Sequence, residues 1–213
     1  MINTIFFDFD GVIVESVDIK TLAFAKLFEL EGKDVVAKVV SYHLLHTGVS
    51  RYEKFRYIYK TILNRPLGEK EFQGLCDKFA ALVVDEVVKA PYVKGAKEFL
   101  TIHHPESSFY VLSATPQKEI EDIIKKRGIS DLFEKIYGAP NKKSDSVAQI
   151  LAGKALDPSD TAYVGDALSD YEAARSNSVH FIARINKNEK LFEPIDCPKI
   201  KDLTELDGII RKL

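Results

Sequence analysis

Thr4-Ile5-Phe6-Phe7-Asp8-Phe9-Asp10-Gly11 is an apolar run that ends in two carboxylates one residue apart, with a glycine directly after them. Ile5 to Phe7 has no polar alternation, which predicts a strand buried on both faces of a parallel sheet. Burying Asp8 inside such a strand is costly without partners. The strand is therefore expected to stop there. Asp8 and Asp10 then project from its carboxyl end, where open α/β sheets bind their ligands.

Outward from this stretch the chain changes character twice. From Val17 to about Glu86 it reads as helices with almost no strand signal. Leu22, Ala25, Phe28 and Leu30 suit a first amphipathic helix ending near Gly32, and Val35 to Leu45 a second. Ser50 is placed as the N-cap of a third, which carries Tyr52, Phe55, Tyr59 and Ile62. Arg65-Pro66-Leu67-Gly68 ends it, and a fourth carries Phe72, Leu75, Phe79, Leu82 and Val83. Beyond Pro91, apolar stretches at Phe109–Leu112, Lys135–Tyr137, Thr161–Val164 and His180–Ala183 alternate with helical segments. That alternation predicts a parallel sheet with right-handed crossovers. Because one strand precedes the helical block, residues 17–86 are expected to be an insertion into an α/β domain formed by 1–16 and 87–213.

The totals exclude several classes. At 213 residues the chain can bury a proper core, and 46% apolar with 29% charged residues is an ordinary globular balance. A net charge of −2 argues against general nucleic-acid binding, which needs a basic field. Cys76 and Cys197 stand far apart with no Cys/His pattern, so two reduced thiols are expected rather than a disulfide or zinc site. No apolar run approaches membrane-spanning length, and no basic leader precedes Asp8. A cytoplasmic protein without a membrane partner is expected.

Four segments carry chemistry. A carboxylate such as Asp8 can attack phosphorus, and a second, Asp10, can protonate a leaving oxygen and later deprotonate water. An Asp-x-Asp alone is weak, since such pairs also bind metals or sit in solvated turns. Ser113-Ala114-Thr115 ends a strand before a helix, where a hydroxyl and backbone N–H groups can hold a phosphate oxygen; by itself such a segment is more often a plain N-cap, with Ser113 or Thr115 starting the helix. Lys142 and Lys143 start a helix, badly placed against its dipole unless a bound anion and a nearby carboxylate compensate. Gly165 allows a sharp turn, and Asp166 and Asp170 fall on one helical face. With Asp8 they can form the oxygen-rich shell that Mg²⁺ prefers. Each segment has an innocent reading; four at strand ends with complementary roles are hard to reach by accident.

With these residues in place, the chain resembles the haloacid dehalogenase superfamily of phosphohydrolases over essentially its whole length. Asp8-Phe9-Asp10-Gly11-Val12 matches the first motif, Ser113 the second, Lys143 the third, and Gly165-Asp166 with Asp170 the fourth. The resemblance implies a three-layer α/β/α, Rossmann-like core with an α-helical cap, as in the phosphoglycolate phosphatase and β-phosphoglucomutase branch. It implies Asp8 as nucleophile, Asp10 as acid/base, and Ser113, Ala114 and Lys143 at the phosphate. It further implies a magnesium ion held by Asp8, the Asp10 carbonyl and Asp166, with Asp170 ligating or orienting. Lys143 is preferred to Lys142 because Gly138-Ala139-Pro140-Asn141-Lys142-Lys143 follows a Gly-x-Pro-x-x-Lys pattern familiar in related sugar-phosphate phosphatases.

Asp10 argues against dehalogenation, which has no alcohol leaving group to protonate. A phosphonatase, with its Schiff-base lysine and smaller residue in place of the second aspartate, also fits poorly. A phosphosugar mutase uses the same two aspartates and remains the alternative, with a non-catalytic sugar-phosphate-binding regulator behind it. His46-Thr47-Gly48-Val49-Ser50-Arg51-Tyr52-Glu53-Lys54-Phe55 resembles the β-phosphoglucomutase cap stretch whose arginine meets the substrate's distal phosphate. His46, Gly48, Ser50, Arg51 and Lys54 are thus the candidate specificity residues. Arg51 and Lys54, three apart on a helix, can present one cationic face. The expected partner is a small phosphorylated sugar or sugar acid, handled by a monomer or weak homodimer.

Overall fold

The computed structural model describes residues 2–186 and 189–213. In chain order the elements are β1 (Thr4–Phe7), α1 (Val17–Leu27), α2 (Lys33–Leu45), α3 (Arg51–Tyr57), α4 (Glu69–Lys89), α5 (Ala96–His103), β2 (Ser108–Pro116), α6 (Gln117–Lys126), β3 (Lys135–Ala139), α7 (Lys143–Lys154), β4 (Thr161–Gly165), α8 (Leu168–Ser176), β5 (His180–Arg184), α9 (Glu189–Phe192), β6 (Lys199–Ile200) and α10 (Leu206–Ile210).

The six strands form one sheet in the order β3-β2-β1-β4-β5-β6, and every pairing is parallel. This is the Rossmann order. Its direction reverses at β1, so ligands are expected beyond the carboxyl ends of β1 and its neighbours. All four residues of β1 are buried, as an unalternating apolar run demands. Ile5 and Phe7 face one layer with Phe109, Val111 and Val164, covered by Phe99 of α5 and by Ile120 and Ile124 of α6. Phe6 faces the other with Tyr110, Leu112 and Tyr163, covered by Val147 and Ile150 of α7 and by Ala173 and Ala174 of α8. Helices on both faces of a parallel sheet make the three layers.

The helices α1 to α4 lie between β1 and β2 in the chain and pack around their own aromatic cluster. Phe24 lies 5.5 Å from Phe55 and 4.7 Å from Phe79, ring centre to ring centre. The buried face of α1 is Ala23 and Phe24, not the Leu22 and Leu30 expected from the sequence. Leu22 is 70% exposed and Leu30 96% exposed, because α1 stops at Leu27 and a short 3-10 turn takes over at Glu29–Glu31. In α4 the core stripe is Phe72, Cys76, Phe79, Val83 and Val87, so the free thiol of Cys76 serves as a small core residue.

The two segments joining these helices to the rest run side by side. Glu15 N–H donates to Pro91 O at 3.0 Å and Val93 N–H to Ile13 O at 3.0 Å. Helix α4 reaches Lys89, beyond Glu86, and Arg127 closes its carboxyl end by donating to the carbonyls of Val87, Val88 and Ala90 at 3.0, 2.7 and 2.9 Å.

Candidate active site at the strand ends

Asp8 follows the last residue of β1, and its backbone N–H still donates to Val164 O at 3.0 Å, so the carboxylate is fixed by the sheet itself. Asp166 follows β4, the next strand over. Carboxylate oxygens of Asp8, Asp166 and Asp170 lie within 4.8 Å of one another, and all three residues are buried. Burial raises the Asp8 carboxyl to about 7, with Lys143 pulling the other way and Asp170 and Asp10 reinforcing the rise. Burial, then Asp8 and Asp170, likewise hold Asp166 well above the usual carboxylate range. Three acids so crowded repel one another unless a cation joins them. The all-oxygen donor set suits a hard divalent ion such as Mg²⁺.

Lys143 is the lysine that reaches this cluster; Lys142 is exposed. Its Nζ lies 2.9 Å from Asp8 and 2.6 Å from Asp170. Burial alone would lower its basicity, but the charges of Asp170 and Asp8 raise it instead. The Asp170 carboxylate also accepts from Tyr163 Oη at 3.1 Å and from Ala167 N–H at 3.1 Å. With three donors on it, Asp170 orients Lys143. Gly165 is required here for space rather than for a turn: a Cβ on it would sit 2.3 Å from Asp170 Cβ.

Ser113 is buried near the end of β2, and its Oγ accepts from Thr115 N–H at 3.1 Å. It borders the same outer cleft as Lys143, while Ala114 and Thr115 face inward towards Asp8 and Asp10. Pro116 is the N-cap of α6, without a side-chain cap bond, so neither hydroxyl is spent on starting that helix.

Asp10 is surrounded by donors. Ser16 Oγ donates to one oxygen at 2.6 Å, while Lys20 Nζ and Thr115 Oγ1 reach the other, the latter at 3.2 Å. Lys20 also donates to Thr115 at 2.8 Å. Burial works to raise Asp10, but the charge and hydrogen bond of Lys20, then Ser16 and Thr115, bring it below the usual carboxylate range. Lys20 and Thr115 as partners of Asp10 are not evident in the sequence. Position 20 carries no motif and reaches Asp10 only because α1 folds back over the end of β1.

Above these residues α1 to α4 close a small cavity of about 30 Å³. Asp8, Asp10 and Asp166 form its floor, and Lys20, His43, Arg51 and Lys54 lie on its helical side. Arg51 and Lys54 do share one face, but that face is buried. Arg51 pairs with Glu119 of α6 and lies 4.5 Å over the Phe79 ring, so its guanidinium is already matched by a carboxylate. Lys54 Nζ bonds His43 Nδ1 at 2.8 Å and donates to Thr47 O at 3.4 Å. Burial, then Lys20, lowers Lys54 well below the usual lysine value; burial, then Lys54 and Lys20, brings His43 to about 2.

Three of the expected specificity residues are not in this cavity. His46 lies just past the end of α2, exposed, with Nδ1 2.8 Å from Tyr42 O and its ring 4.3 Å from that of Tyr42. One turn earlier, His43 takes the place inside. Ser50 caps α3, its Oγ accepting from Glu53 N–H at 3.4 Å. Gly48 is a contact point: a Cβ there would lie 2.0 Å from Ser169 Oγ and 2.8 Å from Ala167 Cβ, so only glycine lets the helical block settle on the start of α8.

A family model described as "Haloacid dehalogenase-like hydrolase" matches residues 5–184. No curated protein matches the chain by sequence. Among solved structures it is similar to a β-phosphoglucomutase from Clostridium difficile, at 20% identity and a TM-score of 0.80, covering 100% of this chain and 97% of that one. It is similar to a predicted phosphoglycolate phosphatase from Haemophilus somnus, at 18% identity and a TM-score of 0.77, covering 98% and 97%. A haloacid dehalogenase-type hydrolase from Bacillus subtilis, solved bound to magnesium, matches at 17% identity and a TM-score of 0.74, covering 99% of each. At these identities the likenesses establish the fold alone.

Proposed function

Because the chain belongs to the haloacid dehalogenase-like hydrolases, we propose that it is a magnesium-dependent phosphomonoester hydrolase acting on a small phosphorylated metabolite, a sugar or sugar-acid phosphate. The observation that carries this reading is the second aspartate. Asp10 stands beside Asp8 at the cavity floor, with Ser16, Lys20 and Thr115 holding its carboxylate in place.

In this reading Asp8 attacks phosphorus and the bond to the ester oxygen breaks, leaving an aspartyl-phosphate while Asp10 gives its proton to the departing alcohol. Asp10 then takes a proton from water as that water attacks the same phosphorus, which returns Asp8 as a carboxylate and releases phosphate. Lys143 and Ser113, with the Ala114 backbone, hold the phosphoryl oxygens. Magnesium held by Asp8, Asp166 and the Asp10 carbonyl, when bound, offsets the mutual repulsion of the anionic nucleophile and the anionic ester.

Asp10 must carry a proton in the first half-reaction, yet Lys20 favours its anion. An incoming phosphate competes for Lys20, and as that ammonium turns to the phosphate, Asp10 is released to hold a proton. Ligand pockets usually span roughly 300–1,000 Å³. A cavity of about 30 Å³ takes no sugar phosphate, so in this reading the helical block lifts for substrate to enter.

The test is a phosphate-release screen over sugar and sugar-acid phosphates with added magnesium. Turnover is expected in the wild type and none in Asp8→Asn, with the melting temperature retained. Residual turnover in that variant would remove Asp8 as nucleophile. Isomer interconversion without phosphate release would instead make the protein a mutase, and ligand binding without any turnover would make it a regulator.

A further inference from the structure

Two opposite charges meet across the boundary between the helical block and the core, and the chemistry above uses neither. Arg51 of α3 pairs with Glu119 in the first turn of α6, and their side chains are only 5% and 13% exposed. The guanidinium also lies 4.5 Å over the Phe79 ring of α4, so it is held on two sides. Arg51 borders the small cavity above Asp8 and also a groove of about 350 Å³ between α4 and α6. Glu119 borders the groove and not the cavity. The carboxylate that matches Arg51 therefore stands outside the space a substrate would fill.

The other basic groups around the cavity are engaged too. Lys20 serves Asp10, and Lys143 serves Asp8 and Asp170. Lys54 Nζ is taken up within the helical block, 2.8 Å from His43 Nδ1 and 3.4 Å from Thr47 O, and burial, then Lys20, lowers its basicity. Between these groups the lining is apolar: Val17, Phe24, Val49 and Phe79. A second anion set among apolar walls and cations already matched is poorly compensated for the water it loses. In the phosphatase reading, Arg51 belongs to the block that lifts and Glu119 to the core, so lifting parts the pair and closing restores it. Over a substrate with an uncharged end, the restored pair helps to hold the block down. A substrate with an anionic far end must draw Arg51 away from Glu119. That leaves a largely buried carboxylate without its cation and sets a like charge near it, both of which are costly.

We propose that Glu119 is a specificity-determining residue: by pairing with Arg51 it makes the site select phosphate esters whose alcohol end is uncharged, neutral sugar and polyol monophosphates, over bisphosphates and phosphorylated acids. The inference rests on the phosphatase reading for the reacting phosphate and narrows its substrates to the neutral members. The selection itself comes from the Arg51–Glu119 pair, so it shows in binding as well as in turnover.

The test uses pairs that differ only in a second anion: glucitol 6-phosphate against 6-phosphogluconate, glycerol 3-phosphate against 3-phosphoglycerate, and glucose 6-phosphate against glucose 1,6-bisphosphate. With magnesium present, wild-type protein is expected to favour the neutral member of a pair by about tenfold or more in kcat/KM. Glu119→Gln frees Arg51 and should raise kcat/KM on the charged members by about tenfold, chiefly by lowering KM, so that the preference collapses. Adding Arg51→Met to Glu119→Gln should remove that gain, which ties it to the guanidinium and not to a general loss of negative charge. Equal use of both members by the wild type overturns the proposal, as does an unmoved ratio in Glu119→Gln or a gain that survives in the double variant. In parallel, calorimetric binding of the same compounds to Asp8→Asn reads the selection without turnover. If no compound releases phosphate but the neutral members still bind more tightly, and Glu119→Gln abolishes the difference, the phosphatase reading fails and the role of Glu119 stands. If neither binding nor turnover responds to the second charge, the proposal fails whatever the chemistry. Should Glu119→Gln melt early, Glu119→Asp decides. Its shorter carboxylate holds Arg51 less well, so a smaller gain on the charged members is expected, and no gain overturns the proposal.

Discussion

Asp10 is buried yet held below the usual carboxylate range, and Lys20 is the main reason. Replacing Lys20 by Met leaves burial less opposed, so the Asp10 value rises. The pH–rate profile is expected to move to higher pH by about one unit, with a smaller effect if Ser16 and Thr115 compensate. An unmoved profile would separate Lys20 from Asp10. His43 gives a second test, in stability. Its value falls from 6.5 to about 2 in the folded chain, so the fold keeps it neutral while the unfolded chain protonates it below 6.5. The stabilising contribution is therefore present above that pH and lost as pH falls, reaching about 2 kcal/mol by about pH 5. His43→Gln should lose less stability between about pH 7 and 5 than the wild type in denaturant melts. Legibility at this scale followed chemistry that depends on a strand end. Asp8, Asp10 and Asp166 sit just past a strand end, Ser113 lies near the end of β2, and Lys143 and Asp170 lie in the first turns of the helices that follow β3 and β4. Lys20 and His43 had no such marker, and Thr115, though marked as a strand-end hydroxyl, carried no sign that it would meet Asp10. The choice between His43 and His46 turns on where α2 stops, since His46 falls outside its last turn and swings to the surface.

At the level of elements, the strands and the long helices were readable because their apolar spacing is unambiguous. Helix α1 was not. Leu22, Ala23, Phe24, Ala25 and Leu27 leave little polar surface to mark its outer face, and the aromatic cluster of Phe24, Phe55 and Phe79 decides which stripe is buried. The spacing of Tyr52, Phe55, Tyr59 and Ile62 predicts a single helix, yet the chain passes into a π turn at Ile58–Ile62, which no residue type announces. Strand β6 is two residues long, too short to show a period. The carboxyl end of α4 depends on a residue far along the chain. Arg127 satisfies three carbonyls there and stacks on Tyr92 at 4.2 Å. Arg127→Ala is expected to destabilise the protein by about 2 kcal/mol, measured by chemical denaturation. A loss near zero would mean that water replaces the guanidinium without cost.

Across the whole molecule, the sheet order brings the ends of β1, β2 and β4 together, and four acids and a lysine converge there with like charges unbalanced. Without a metal ion, Asp8 titrates from 3.8 in the unfolded chain to about 7 in the folded one. Its raised value means that stability is present at low pH, falls as pH rises through that window and is level above it. In the proposed reading magnesium stands in for the missing protons, so its gain in melting temperature should be larger at about pH 8 than at about pH 5. The same gain at both would place the ion elsewhere.

The 30 Å³ cavity carries a last consequence. In the phosphatase reading, every substrate molecule waits for the roof to rise, and every product waits again. Turnover then has a mechanical ceiling that no placement of Asp8 or Asp10 can exceed. Solvent friction acts on that ceiling and not on bond making. A thicker medium should slow the protein on its best substrate and spare it on poor ones, where chemistry is slower than the roof.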